Sequence, residues 1–214
     1  MKRRYATSQT VLAAAIACIV GCSSPSPTFY ALRADEASAA TAGATPAVAA
    51  VSSSAAALDV VVGPVTVPDM VDRPQIVTRN ADNTIEMNEF ARWASPLKLD
   101  VGRVVAEDLA QRLGTARVST IDVGAPTVPV WRVRVDITRI DSVLGDAVTI
   151  DAQWVVKPPG HEALTLGHTV AHEPATSRDY GALVDAHNRA LAAISADIAA
   201  AIRANHATVG SATD

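Results

Sequence analysis

Trp131-Arg132-Val133-Arg134-Val135-Asp136-Ile137-Thr138 decides the fold. Apolar side chains stand at every odd position and polar ones at every even position. That two-residue period belongs to a strand with one face in a core and the other in water. Val148, Ile150, Ala152, Trp154 and Val156 repeat the alternation in the next segment, and Pro158-Pro159-Gly160 stops it. A third strand is expected from Leu164 to Val170, with Leu164, Leu166 and Val170 on one face. Consecutive strands of this kind make an antiparallel meander whose apolar face needs a cover.

Two helices supply the cover. Leu97, Val101, Val105, Leu109 and Leu113 recur every fourth residue, with Val104 widening the stripe and Gly114 placed to end it. Ser95 reads as the capping residue of this helix and Pro96 as its first helical position. The last helix is Ala-rich and carries Tyr180, Leu183, Val184, His187, Leu191, Ile194, Ile198 and Ile202 on one face. Upstream, Leu58 to Val62 is a β-branched run punctuated by Gly63-Pro64 before Val65 to Val67. Gln75 to Arg79 and Thr84 to Met87 flank the polar turn Asn80 to Asn83 and predict a hairpin. The expected fold is therefore α+β: a mixed, largely antiparallel sheet with two helices packed on one face. This domain spans residues 58–205, and residues 206–214 read as a disordered tail.

The N-terminal end has a different character. Lys2, Arg3 and Arg4 precede an apolar run from Val11 to Val20, and the run ends in Ile19-Val20-Gly21-Cys22. The run is too short to span a bilayer, which takes about 20 apolar residues. It reads as a signal peptide over residues 1–21, cut before Cys22, which becomes an acylated N-terminus. The expected modification is a diacylglycerol and an N-acyl chain on the Cys22 sulfur and amine, and no other cofactor is expected. More than one chain is needed for a durable attachment, because a single chain binds only reversibly. Ser23 in place of an aspartate points to the inner leaflet of the outer membrane, facing the periplasm.

Residues 22–57 form the tether. Residues 33–57 are dominated by Ala, Ser and Thr and read as disordered, since they offer too little apolar surface to offset chain entropy. Phe29-Tyr30-Ala31-Leu32 is either part of that tether or the first strand of the domain, and its aromatic, apolar character favours the strand.

Charge and residue inventory exclude several functions. Cleavage takes three of the 18 basic residues and none of the 22 acidic ones, so the net charge falls from −4 to −7. No polybasic patch is present for nucleic acid or for anionic lipid. Of the two cysteines, Cys18 is lost with the signal and Cys22 is modified, so no disulfide forms within a monomer. Nucleophile elbow, phosphate-binding loop and dinucleotide fingerprint are all missing. His168 and His172 sit four apart on a predicted strand, about 13 Å, too far for one metal. No catalytic or metal site is expected, and the chain reads as a non-enzyme.

The densest signal is GPVTVPDMVDRPQIVTR at 63–79, followed by EFARWASPL at 89–97. Pro68 and Pro74 stiffen the backbone and hold their predecessors extended. Asp69, Met70, Asp72, Arg73, Gln75, Arg79 and Trp93 are the candidate partner-binding residues, apolar anchors in a polar rim. The same residues also suit a rigid loop and hairpin held by Asp/Arg pairs, with Trp93 as a core plug.

The lipoprotein signal, Phe29 to Leu32, the 63–79 and 89–97 segments and the Asp179-Tyr180 helix start resemble, in this order, the PqiC-like (YmbA-type) lipoproteins. These are auxiliary lipoprotein components of ABC-type and MCE-type transport systems. The resemblance implies a fold similar to the N-terminal domain of TolB. It also implies lipid traffic between inner and outer membranes, with an MCE-domain tunnel protein and inner-membrane transport subunits as partners. Phospholipid contact and a homo-oligomeric ring follow by the same analogy. An envelope scaffold or secretion-assembly lipoprotein without lipid cargo is the alternative.

Overall fold

The computed structural model describes residues 25–35, 58–121 and 129–211. The signal peptide, Cys22 and residues 36–57 of the tether lie outside them. In chain order the elements are β1 (Thr28–Tyr30), β2 (Asp59–Thr66), β3 (Gln75–Arg79), β4 (Ile85–Trp93) and α1 (Leu97–Leu113). They continue with β5 (Val118–Ser119), β6 (Val130–Ser142), β7 (Ala147–Lys157), β8 (Thr165–Pro174) and α2 (Tyr180–Ser211).

The architecture is α+β with largely antiparallel pairing, and its strands divide into two sheets. A five-stranded sheet runs β5-β2-β6-β7-β8, and a three-stranded sheet runs β1-β4-β3. β6, β7 and β8 form the expected antiparallel meander. β2 is parallel to both β5 and β6, and β1 is parallel to β4. β1 thus builds the FYAL segment into the small sheet, with Tyr30 opposite Trp93.

Alternation sets the core. Trp131, Val133, Val135 and Ile137 of β6 are at most 3% exposed, as are Val148, Ile150, Ala152 and Val156 of β7. Both helices lie on this face: α1 against β2, and α2 across β7 and β8 and against α1. Leu97, Val101, Val104, Val105 and Leu109 of α1 interlock with Leu183, Leu191, Ile194, Ile198 and Ile202 of α2, all at most 2% exposed. Each such side chain contributes about 1.5–3 kcal/mol on leaving water. The small sheet packs on the start of α2, where the Tyr30 and Tyr180 rings lie 6.1 Å apart.

Three local expectations are corrected. The helix cap of α1 is Pro96 itself, with no side-chain cap bond, so the proline stands one position earlier than expected. Gly114 ends the helix in the left-handed conformation at φ 65, and Thr115 N–H bonds the Ala110 carbonyl. On β8 the period is right and the face is reversed: Leu166 is 76% and Val170 51% exposed, while Gly167, Thr169 and Ala171 face the helices. The cause is Trp154, directly opposite Gly167, where a Cβ would lie 2.0 Å from the indole ring. The indole N–H also donates to Thr169 at 3.0 Å, which fixes Thr169 inward. Third, α2 runs past residue 205 to Ser211, because Asn205 bonds Thr165 and the Ala201 carbonyl and His206 packs near Trp131.

Candidate functional site

The segment at 63–79 comprises the end of β2, a compact turn and β3. The Pro68 carbonyl accepts from the N–H groups of Val71 and Asp72 at 3.0 and 3.1 Å. Lys98 at the start of α1 reaches Asp72 at 3.1 Å, and the Pro74 carbonyl accepts from Trp93 N–H at 2.7 Å. Gln75 donates to Glu89 and Arg73 donates to the Met87 sulfur at 3.0 Å, tying the turn to β4. Asp69 and Met70 are left at the tip, exposed, while Val71 is buried at 5%.

Arg79 closes the segment onto the large sheet. Its guanidinium donates twice to Asp141 of β6, at 2.8 and 2.7 Å. That paired geometry is the strong form of an ion pair. Arg79 holds the Asp141 carboxyl below the usual carboxylate range. Beside the pair lies a cavity of about 280 Å³, lined by Met70, Val77, Thr78, Ile85, Arg139, Ile140 and Ser142 as well as by Arg79 and Asp141 themselves. It is smaller than the 300–1,000 Å³ typical of a drug-sized ligand site. Its size suits one apolar side chain or chain end.

The predicted site residues therefore separate. Asp69 and Met70 are exposed in the turn, Asp72 reaches α1, Arg73 and Gln75 reach β4, and Arg79 reaches β6, so of the six only Met70 and Arg79 line the cavity. Trp93 does not join them: it is 6% exposed and meets the His187 ring edge-on at 5.5 Å. It supports the hairpin from beneath, and its place among the exposed anchors is withdrawn. His168 and His172 stand on the exposed face of β8, bonded across the strands to Asp151 and Thr149 at 2.8 Å each. Among the described residues no cluster of three or more His, Cys, Asp or Glu is placed to hold a metal ion.

A second polar constellation went unread in the sequence. Residues 31–35 cross the α1–α2 groove as an extended strap. Asp100, 6% exposed, accepts from Leu32 N–H at 3.0 Å, and Arg103 donates to the Leu32 carbonyl at 2.6 Å. Asn188 accepts from Arg33 N–H and the fully buried Asp108 from Asp35 N–H, both at 3.0 Å. Desolvation pushes the Asp108 carboxyl up. The legible signal was two aspartates within the apolar stripe of α1, at positions that can be buried only with partners.

A family model described as "ABC-type transport auxiliary lipoprotein component" matches residues 41–199. Among solved structures, that of an uncharacterized protein is similar at TM-score 0.65 and 19% identity, covering 83% of this chain and 99% of that one. Protein XCC0632 from Xanthomonas campestris, described as DUF330, is similar at TM-score 0.57 and 19% identity, covering 80% and 92%. At that identity the likeness is one of fold. No curated protein matches the chain. No helix among the described residues is long and apolar enough to cross a membrane.

Proposed function

The chain belongs to the family of ABC-type transport auxiliary lipoprotein components, and from that premise we propose that it works by binding, as the outer-membrane end of an MCE-type lipid transport system. Acyl chains on Cys22 hold it in the inner leaflet, facing the periplasm. The turn at 68–73 and the cavity beside it receive the periplasmic tunnel protein, so that phospholipid passes between the membranes. A ring of copies around the tunnel is part of the same reading.

The observation that supports it is the small socket at Met70. An interface gains most of its affinity from a few side chains seated in pockets and ringed by polar groups. Met70 is 46% exposed and lines the cavity together with Val77, Ile140 and the Arg79–Asp141 pair. Bond-making has no comparable support. Asp141 is committed to Arg79, and a cavity of this size leaves little room for substrate beside an acid and a base.

Capture of the tunnel protein from solubilised envelopes tests the surface. Met70→Asp combined with Arg73→Glu is expected to cut recovery at least ten-fold while the circular dichroism spectrum stays that of wild type. Full recovery by the folded double variant would exclude the 63–79 segment as the contact.

A further inference from the structure

We infer that the outer face of the three-stranded sheet, at Phe29, Arg92 and Phe90, seats on the phospholipid surface of the membrane that holds the chain. The inference rests on the acylation of Cys22 proposed above.

The aromatic residues are distributed against expectation. The three tryptophans are 3–7% exposed, yet the chain's two phenylalanines are 61% (Phe29) and 47% (Phe90) exposed. Single exposed apolar residues are ordinary, but these two share one face. Phe29 lies beside Arg92 in the β1–β4 register, and Phe90 is two residues before Arg92 on the same strand. Phe29 and Phe90 are therefore diagonal neighbours on adjacent strands, with Cα atoms about 8 Å apart. Ala91 and Trp93, which alternate with them, are 3% and 6% exposed and point into the core. The Arg92 side chain has no hydrogen bond or ion pair among the described residues. Two rings flanking an uncommitted guanidinium match a lipid surface. The rings enter the boundary between headgroups and acyl chains, and the guanidinium meets a phosphate.

Chain length supplies the direction. β1 begins at Thr28, six residues after Cys22. Six residues reach at most about 20 Å, and about 13 Å as a flexible coil. A body of this size has a radius of gyration of about 15 Å, so the tether holds its β1 end close to the bilayer. The opposite pole is far away. Tyr30 packs on Tyr180 at the start of α2, while Thr165 of β8 bonds Asn205, 25 residues later along that helix and about 38 Å distant. Within the small sheet β1 is an edge strand, and among the described residues no strand pairs with its outer side.

Full-length protein, purified with its lipid and reconstituted into phosphatidylethanolamine and phosphatidylglycerol vesicles, tests the inference. Phe29→Trp, Phe90→Trp and, as the distant control, Leu166→Trp are compared with wild type, with and without dibrominated phospholipid. The added emission of Phe29→Trp and Phe90→Trp is expected to fall at least two-fold with brominated lipid, and that of Leu166→Trp to stay unchanged. Mass spectrometry of the same preparation reads the acyl chains on Cys22. Acylated protein with no quenching at 29 and 90 overturns the membrane contact and leaves the anchorage standing. Emission that responds only to added tunnel protein overturns it in favour of a protein partner. An unmodified Cys22 overturns both.

Discussion

His187 occupies a position in the apolar stripe of α2 where an aliphatic residue would have fitted the pattern. It is 2% exposed and fully engaged: Nδ1–H donates to the Leu183 carbonyl at 2.8 Å, and Nε2 accepts from the Ser142 hydroxyl at 3.0 Å. This arrangement requires the neutral ring, and burial lowers its pKa to about 4. An unfolded histidine titrates near 6.5, so below that pH the unfolded chain takes a proton that the native one refuses. The His187 contribution is thus undiminished at neutral pH and is lost as pH falls from about 6.5 through 4, by up to about 3 kcal/mol. Urea unfolding at pH 7 and pH 4.5 should show wild type losing about 2 kcal/mol more than His187→Gln on acidification. Equal losses would mean that the ring titrates normally. Sequence periodicity placed this side chain inside correctly but could not say what would meet its nitrogens, because Ser142 lies 45 residues away. The same limit explains the reversed face of β8. Alternation gives two faces, and only the meeting of Trp154 with Gly167 across the strands decides which one turns inward.

At the scale of elements, the strands and helices of the second half were legible because each carries a long, uninterrupted period. The strap at 31–35 was not, since extended backbone without alternation has no period to read. Its evidence stood elsewhere, in Asp100 and Asp108 of α1. Removing the Asp100 carboxylate leaves the Leu32 N–H without its acceptor and Arg103 without one of its two carboxylate partners. A buried donor left without an acceptor costs about 1–3 kcal/mol. Asp100→Ala is therefore expected to destabilise by that amount and to speed amide hydrogen exchange at Leu32 and Arg33, while Val104 and Val105 stay protected. Glu107→Ala, on the exposed side of the same helix, is expected to change stability by less than about 0.5 kcal/mol. If Leu32 exchanges no faster in Asp100→Ala, the carboxylate does not hold the strap.

For the whole molecule, the sequence conveyed the α+β class and the helical cover, while the division into two sheets escaped it. Period assigns a strand its faces, whereas its hydrogen-bonded neighbours depend on where the connections lead. β4 pairs with both β1 and β3, and the small sheet's ion-paired link to β6 runs through Arg79 and Asp141. A double-mutant cycle with Arg79→Ala and Asp141→Ala is expected to show favourable coupling at pH 7, the two single losses summing to more than that of the double variant. Because the Asp141 carboxyl is held low, that coupling is present above the unfolded carboxylate pKa of about 4 and is lost as pH falls through the lower folded value. Independent, additive losses would show two sheets held together by packing alone. The route by which the chain enters this body has a mechanical consequence. β1 is joined to β4 in parallel, and the strap behind it is bolted to both helices. A tug on the amino-terminal segment along β1 must slide several bonds at once, whereas a tug across a hairpin opens them in turn. The load then spreads into both packed helices, so tension at the leash is borne by many bonds together before the fold can unravel.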